Sequence, residues 1–226
     1  MDTRNIDRAA LKAPSARVTG SNLDTLVPEY FASLELTGEE ALINALDDAK
    51  QWLHRHREKL DGSNYDPAKS EAEILERVAP DALQNIQDVE RDRFVALDDQ
   101  NQLKFNTLSL RPLTQEVART LSNFLEPTRR MRLFQSGRNW YPPRGYMGWH
   151  TNSNVQGFRL YCSHAEEPGA SFFRYQDPES LKIETLWDEE GWNFRCFRTD
   201  LKPLWHCVYS ETDRISFGYG LQFPIE

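Results

Sequence analysis

The chain has 226 residues, 39% of them hydrophobic and 12% aromatic, and its 27 basic and 35 acidic side chains leave a net charge of -8. A chain of this length buries roughly 70% of its unfolded surface and needs no disulfide or structural metal to fold, while the aromatic content excludes a disordered polymer. No run of about 18 apolar residues is present, which excludes a membrane-spanning helix, and the acidic balance argues against nucleic acid as a partner. Arg129, Arg130 and Arg132 form the one basic cluster and read as a solvated strand edge. The N-terminus lacks the apolar stretch of a secretory signal. Three cysteines, Cys162, Cys196 and Cys207, with no CxxC pair, point to reduced thiols in a cytoplasmic chain rather than to disulfides or a thiolate zinc site.

Residues 1–35 read as a loosely ordered arm of small and polar residues. Residues 36–226 read as one domain, helical over 36–127 and strand-rich over 128–226. Thr37-Gly38-Glu39-Glu40 has the form of a capping box. Leu42, Ala45, Leu46, Ala49, Leu53 and Leu60 then recur near a period of 3.6, so a helix is expected from Thr37 to about Asp61-Gly62. Further helices are expected over 67–78, 81–94 and 114–126, each bounded by a proline or polar cap. Beyond them, aromatic and β-branched residues alternate with turn residues, and strands are expected over 130–134, 146–150, 158–162, 171–175, 192–198, 204–209 and 214–219. Helices first and strands later imply an α+β arrangement, with the helices buttressing one sheet of a sandwich, jelly roll or barrel.

The chain has five histidines. His54 and His56 fall about 200° apart around the first helix and read as surface residues, and His164 reads as a solvated turn residue. His150 and His206 stand in strands. Residues two apart on a strand share a face, so His150 and Asn152 project together. A turn over 209–213 would fold the last two strands into a hairpin, with Val208 opposite Arg214 and His206 opposite Ser216. His206, Arg214 and Ser216 would then share one face. A guanidinium and a hydroxyl directed into a barrel are costly to bury without an anionic ligand, and a guanidinium grips a carboxylate through two parallel hydrogen bonds. Tyr161 and Arg159 read as packing or surface pairing. Trp140, Trp149, Trp192 and Trp205 read as core or pocket wall, and Asn154 shares the parity of Asn152. Cys207 alternates away from His206, which argues against a catalytic thiol. No nucleophile elbow is recognisable.

Four pieces then fall in a telling order. Tyr141-Pro142-Pro143-Arg144-Gly145-Tyr146-Met147-Gly148-Trp149-His150, the stretch from Phe158 to Phe173, His206, and Arg214-Ile215-Ser216 together resemble the iron(II)- and 2-oxoglutarate-dependent oxygenases, on their prolyl-hydroxylase-like side. They are similar, in turn, to that family's tyrosine, glycine and first metal histidine, its strand–acidic turn–strand, its second metal histidine, and its RxS element. The resemblance covers about 90 of the 226 residues. It implies a double-stranded β-helix (a jelly-roll, cupin-like core) with supporting helices. It also implies iron(II) held by His150 and His206, and 2-oxoglutarate as cosubstrate, anchored by Arg214 and Ser216 and reached by Tyr141. The activity implied is hydroxylation of an unactivated C–H bond in an amino acid, a peptidyl side chain or a small metabolite. The Gly145-Tyr146 loop and the Glu166-Glu167-Pro168-Gly169 turn would border the substrate.

One departure matters. The family's third ligand is a carboxylate, in an HxD or HxE pair, whereas this chain has His150-Thr151-Asn152. An amide oxygen can ligate, but it is neutral, so iron(II) keeps its full +2 charge and a dianionic keto acid neutralises the site. Asn152 as third ligand of a hydroxylase is the first reading. A vacant third position filled by halide, as in related halogenases, and a non-catalytic jelly roll that only binds are the alternatives. Glu166 is a conceivable substitute carboxylate.

Overall fold

In the computed structural model, residues 30–89, 99–105, 110–122, 132–152 and 156–222 are described. Eleven strands make two antiparallel sheets. In chain order they are β1 (Phe31–Leu34), β2 (Gln100–Asn101), β3 (Leu103–Lys104), β4 (Arg132–Tyr141), β5 (Gly145–His150), β6 (Phe158–Ala165), β7 (Ser171–Gln176), β8 (Ile183–Trp187), β9 (Gly191–Arg198), β10 (His206–Ser210) and β11 (Arg214–Gln222). The sheet orders are β1-β9-β6-β11-β4-β3 and β2-β5-β10-β7-β8. From β4 onward the chain passes back and forth between the two sheets, apart from the β7–β8 hairpin. That order is the double-stranded β-helix, with β1, β2 and β3 added at the edges.

Period-two alternation assigns each strand its faces. On β6, Phe158, Leu160, Cys162 and His164 face outward. Arg159, Tyr161, Ser163 and Ala165 face the barrel interior. On β11, Ile215, Phe217, Tyr219 and Leu221 point out and Arg214 and Ser216 point in. The outer residues of β6 and β11 pack against α1 (Glu40–Arg55) and α4 (Arg111–Ser122) through Leu42, Leu46, Leu53, Leu113, Val117 and Leu121. The other sheet is covered by α2 (Glu71–Arg77) and α3 (Pro80–Val89), where Ile74, Val78 and Leu83 meet Trp149, Phe172, Cys207 and Tyr209. Helices therefore flank both sheets, not one as the order of elements implies. Among the described residues no helix is long and apolar enough to cross a membrane.

Several boundaries differ from expectation for local reasons. The Thr37–Glu40 box does not form. A turn closed by Glu39 N–H to Leu36 O separates the threonine from the helix, which starts at Glu40 without a side-chain cap. The capping box of this chain is Ser70 with Glu73 at the start of α2. The first helix ends at Arg55 in a 3-10 turn, Arg57–Lys59, because Asp61 leaves to bridge Lys104. Phe31–Leu34, inside the expected arm, is a strand added to β9. The strand β8 was not expected at all. Residues 1–29 of the arm, and the ends of the second-last and last expected helices, lie outside the described residues.

The expected hairpin is also corrected. β10 pairs with β5 and β7, while β11 pairs with β4 and β6. Residues 211–213 carry the chain from one sheet to the other, so His206 opposes His150 rather than Ser216.

Candidate functional site

The site starts with a bulge. Between the pairs Met147–Val208 and His150–His206, β5 has one residue more than β10. A bulge of this kind re-aims a strand's side chains. Met147 and His150 both face the interior, while the Trp149 indole turns outward and donates to Ala79 O at 2.8 Å. Gly148 is required here: its N–H donates to Asp99 O at 2.8 Å, and a Cβ would overlap the Asp99 carboxylate.

The bulge brings His150 and His206 together, ring centroids 4.1 Å apart and planes at 53°. His150 Nδ1 lies 2.8 Å from Gly148 O, and His206 Nδ1 lies 2.9 Å from Leu204 O. A carbonyl only accepts, so each Nδ1 carries the proton and each Nε2 keeps its lone pair, the tautomer a metal requires. Burial pushes the His150 imidazole down to about 4. Burial and the neighbouring His150 push His206 well below the ordinary histidine range. Both are therefore neutral at pH 7. Phe173 stacks on His206 at 5.2 Å and fixes the ring plane.

Asn152 also reaches this point. Its Nδ2 donates to His206 Nε2 at 3.1 Å and to the Tyr161 hydroxyl at 2.9 Å. The amide N–H thus occupies the lone pair that a metal would take. Turning the amide end for end replaces this donor by the acceptor Oδ1. Among the described residues no three His, Cys, Asp or Glu side chains converge as a ligand set. Glu166 is 3.6 Å from His164 Nδ1 and does not supply the missing carboxylate. His164 is itself a buried β6 residue, with Nε2 2.8 Å from Lys50 Nζ, not a solvated turn histidine. By donor chemistry the residues fit a divalent ion: two imidazole nitrogens held ready by backbone carbonyls, and one amide. They supply no negative charge to it.

A second cluster lies at the other end of the barrel. Arg214 and Asp188, each 1% exposed, are joined by an Nε–H to Oδ2 bond of 2.8 Å. Asp188 also accepts from Arg195 Nη1 and Ser171 Oγ. Burial alone would raise the Asp188 carboxyl, but Arg195, Arg214 and Ser171 together hold it far below the usual carboxylate range. Ser216 Oγ lies 3.1 Å from Ser163 Oγ. Tyr141 is buried under the Arg214 guanidinium, 5.5 Å from its ring centroid, and burial keeps its phenol protonated.

A cavity of about 570 Å³ runs over these residues, with Tyr141, His150, Asn152, Tyr161, Arg159 and Ser216 in its wall. Arg214 does not line it and stands behind Tyr141. Among the described residues Lys104, Arg138 and Arg159 line it, and no Asp or Glu does. The Gly145-Tyr146 segment and the 166–169 turn do not border it. Gly145 pairs with Ser210 and Ala165 with Arg214, at the barrel end away from the His150–His206 pair. Asn154 lies outside the described residues. Cys207 faces the helices, Sγ 3.7 Å from Val78 O.

Sequence reading passed over two residues of this assembly, Asp188 and Arg195, and set a third, Arg159, aside as packing or surface pairing. Asp188 stands in the run Asp188-Glu189-Glu190-Gly191, which looks like a solvated turn. Arg195 stands in an expected strand without any motif. Arg159 shares the parity of Tyr161 and Ser163, a signal that was available in β6 itself.

No protein-family model and no curated protein matches the chain. Among solved structures it is similar to a prolyl-4-hydroxylase from Pseudomonas putida, 12% identical, covering 90% of this chain and 97% of that one with a TM-score of 0.44. It is also similar to a dioxygenase for auxin oxidation in rice, 11% identical, covering 87% and 74% with a TM-score of 0.43. A third is an oxidoreductase of the 2OG-Fe(II) oxygenase family from Burkholderia pseudomallei, 11% identical, covering 57% and 63% with a TM-score of 0.36. The fold assignment rests on the strand order of the chain itself.

Proposed function

We propose that the protein is an iron(II)- and 2-oxoglutarate-dependent oxygenase, holding iron through His150, His206 and the Asn152 amide oxygen. The observation that carries this reading is the pair of facing imidazoles, His206 buried and His150 half-buried at the cavity wall, each with Nδ1 tied to a carbonyl and Nε2 left as an acceptor. Iron(II) bound there with the keto acid supplies oxygen activation, in which 2-oxoglutarate and O₂ yield succinate and CO₂ while a C–H bond of the substrate becomes C–OH. The chain's own groups do the rest. Arg214, oriented by Asp188, lends positive charge to the wall at Tyr141 and Ser216, where the distal carboxylate of the keto acid would rest. Tyr161 holds the Asn152 amide. Tyr161, Phe173 and Phe197 pack around the His206 imidazole and bury it.

Charge supports the same reading. Among the described residues the fully buried formal charges are Arg159, Arg195, Arg214 and Asp188. Three cations against one anion leave +2 inside the protein before any metal enters. Buried charge without a counterion is costly, and an anion in the cavity offsets part of it.

The Asn152 N–H on His206 Nε2 favours one second reading, a jelly roll that binds an anion without metal. The test is oxygen-dependent conversion of 2-oxoglutarate to succinate with iron(II) supplied. Turnover supports the oxygenase, whereas keto-acid binding that is indifferent to iron supports the binding module.

A further inference from the structure

Arg159 is given neither the metal nor the keto acid to hold in the chemistry above, yet its placement is unusual. It is 3% exposed, on the inner face of β6. Its guanidinium lies over the Phe134 ring, 5.5 Å from the centroid. Its Nε is buried without a hydrogen-bond partner. No carboxylate among the described residues pairs with it. Asp188 is already shared by Arg195 and Arg214.

The space around it is shaped for a guanidinium. Its register partner on β11 is Gly220, where a Cβ would overlap both Phe134 and Arg159 Nη1. The same guanidinium lines the cavity that holds His150 and Asn152, and its charge is felt at both Tyr161 and His206. Arg214, by contrast, sits at the opposite end of β11 and outside the cavity lining. Two buried cationic centres therefore stand at separate levels of one barrel, and only the one at Arg214 has an internal counterion. A buried guanidinium left unpaired is costly, and its planar fork matches an oxyanion.

We propose that Arg159 is the recognition residue for an oxyanion, carboxylate or phosphate, carried by the substrate, bound in the cavity apart from the keto acid. As a statement about a substrate this rests on the oxygenase reading; as a statement about an anion site it does not.

The experiment titrates metal-free protein with inorganic phosphate and, separately, with acetate, reading the melting temperature. It uses the wild type, Arg159→Gln, Arg159→Lys and Arg214→Gln. The two salts distinguish a phosphate from a carboxylate preference. Arg159→Gln is expected to weaken the stabilising anion at least tenfold, and Arg159→Lys to restore part of the response. Arg214→Gln is expected to lose only what binds at the Tyr141–Ser216 wall and to keep the part of the response that Arg159→Gln removes. In anion-free buffer Arg159→Gln is expected to melt no lower than wild type, because it removes an uncompensated charge. A fall of several degrees there would make Arg159 a packing residue and overturn the proposal. So would an anion response as strong in Arg159→Gln as in the wild type, one that Arg214→Gln abolishes altogether, or no response to either salt in the wild type. In a parallel titration with iron(II), a loss of 2-oxoglutarate affinity in Arg159→Gln as large as that in Arg214→Gln would assign Arg159 to the cosubstrate and overturn it as well. If the wild type binds no keto acid with iron, the oxygenase reading fails while the phosphate titration still decides the anion site.

Discussion

Arg214 Nε donates to Asp188 Oδ2 at 2.8 Å, with both side chains withdrawn from solvent. The arginine that the RxS pattern marks as a cosubstrate anchor thus has a protein partner already, and that partner is divided between two guanidinium groups. Asp188→Asn would leave Arg195 and Arg214 buried without a counterion. The expected loss is about 3–5 kcal/mol, at roughly 2–4 °C of melting temperature per kcal/mol for a chain of this size. Thermal unfolding of the variant checks it, and a shift under about 2 °C would mean that the guanidinium groups are not truly desolvated.

Acid should destabilise the chelator-treated protein before its ordinary carboxylates titrate. His150 has a folded-state value of about 4, below the unfolded value of about 6.5, and His206 is depressed in the same direction. Between those values the unfolded chain binds more protons than the native one, so stability rises with pH and falls as pH drops below about 6.5. Each imidazole contributes a slope approaching 1.4 kcal/mol per pH unit within the window. Urea unfolding at pH 7.5, 6.5 and 5.5 should show this slope, and His206→Gln should reduce it. Identical slopes in wild type and variant would contradict the neutral, buried state of the ring.

Asn152 decides how the metal is held. Asn152→Asp supplies the anionic oxygen that the site lacks, and divalent-metal affinity should rise at least tenfold. Asn152→Ala should lower it by about 10- to 100-fold, the usual scale for groups that hold or orient ligands. Titration with iron(II) under nitrogen reads both. Equal affinity in wild type and Asn152→Ala would remove the amide from the ligand set. Retained turnover that depends on chloride in Asn152→Ala would point to halide in its place.

Gly148→Ala tests the bulge. The added methyl meets Asp99, so the extra residue of β5 must shift, at a cost of about 1–3 kcal/mol. His150 should lose its alignment with His206. Metal affinity should therefore fall more steeply than stability alone explains, which a comparison of melting temperature with metal titration reveals.

Much of this architecture was legible because the strands alternate cleanly. Period two alone set Arg214 and Ser216 on one face and Cys207 opposite His206, although the hairpin expected to turn the first two inward does not form. Other features were not local. Residues 209–213 read as a hairpin turn, and only the pairing of β10 with β5 and β7 shows that 209 and 210 stay in the strand and 211–213 cross between sheets. His150 and Trp149 take their faces from a bulge that no residue pattern announces. Lys182-Ile183-Glu184-Thr185-Leu186 has weak alternation beside charged turns, so β8 was missed. Asp188 looks solvated among three consecutive acids and is buried only by the tertiary arrangement of two distant arginines.

The central claim is that His150 and His206 hold one iron ion together with a keto acid. Mixing the protein with iron(II) and 2-oxoglutarate in the absence of oxygen tests it directly, by the visible metal-to-ligand charge-transfer absorption of that chelate. The account predicts a band that saturates at one iron per chain and is absent from His150→Ala and His206→Ala. A wild type that shows no such band, or a band that survives both substitutions, would contradict it.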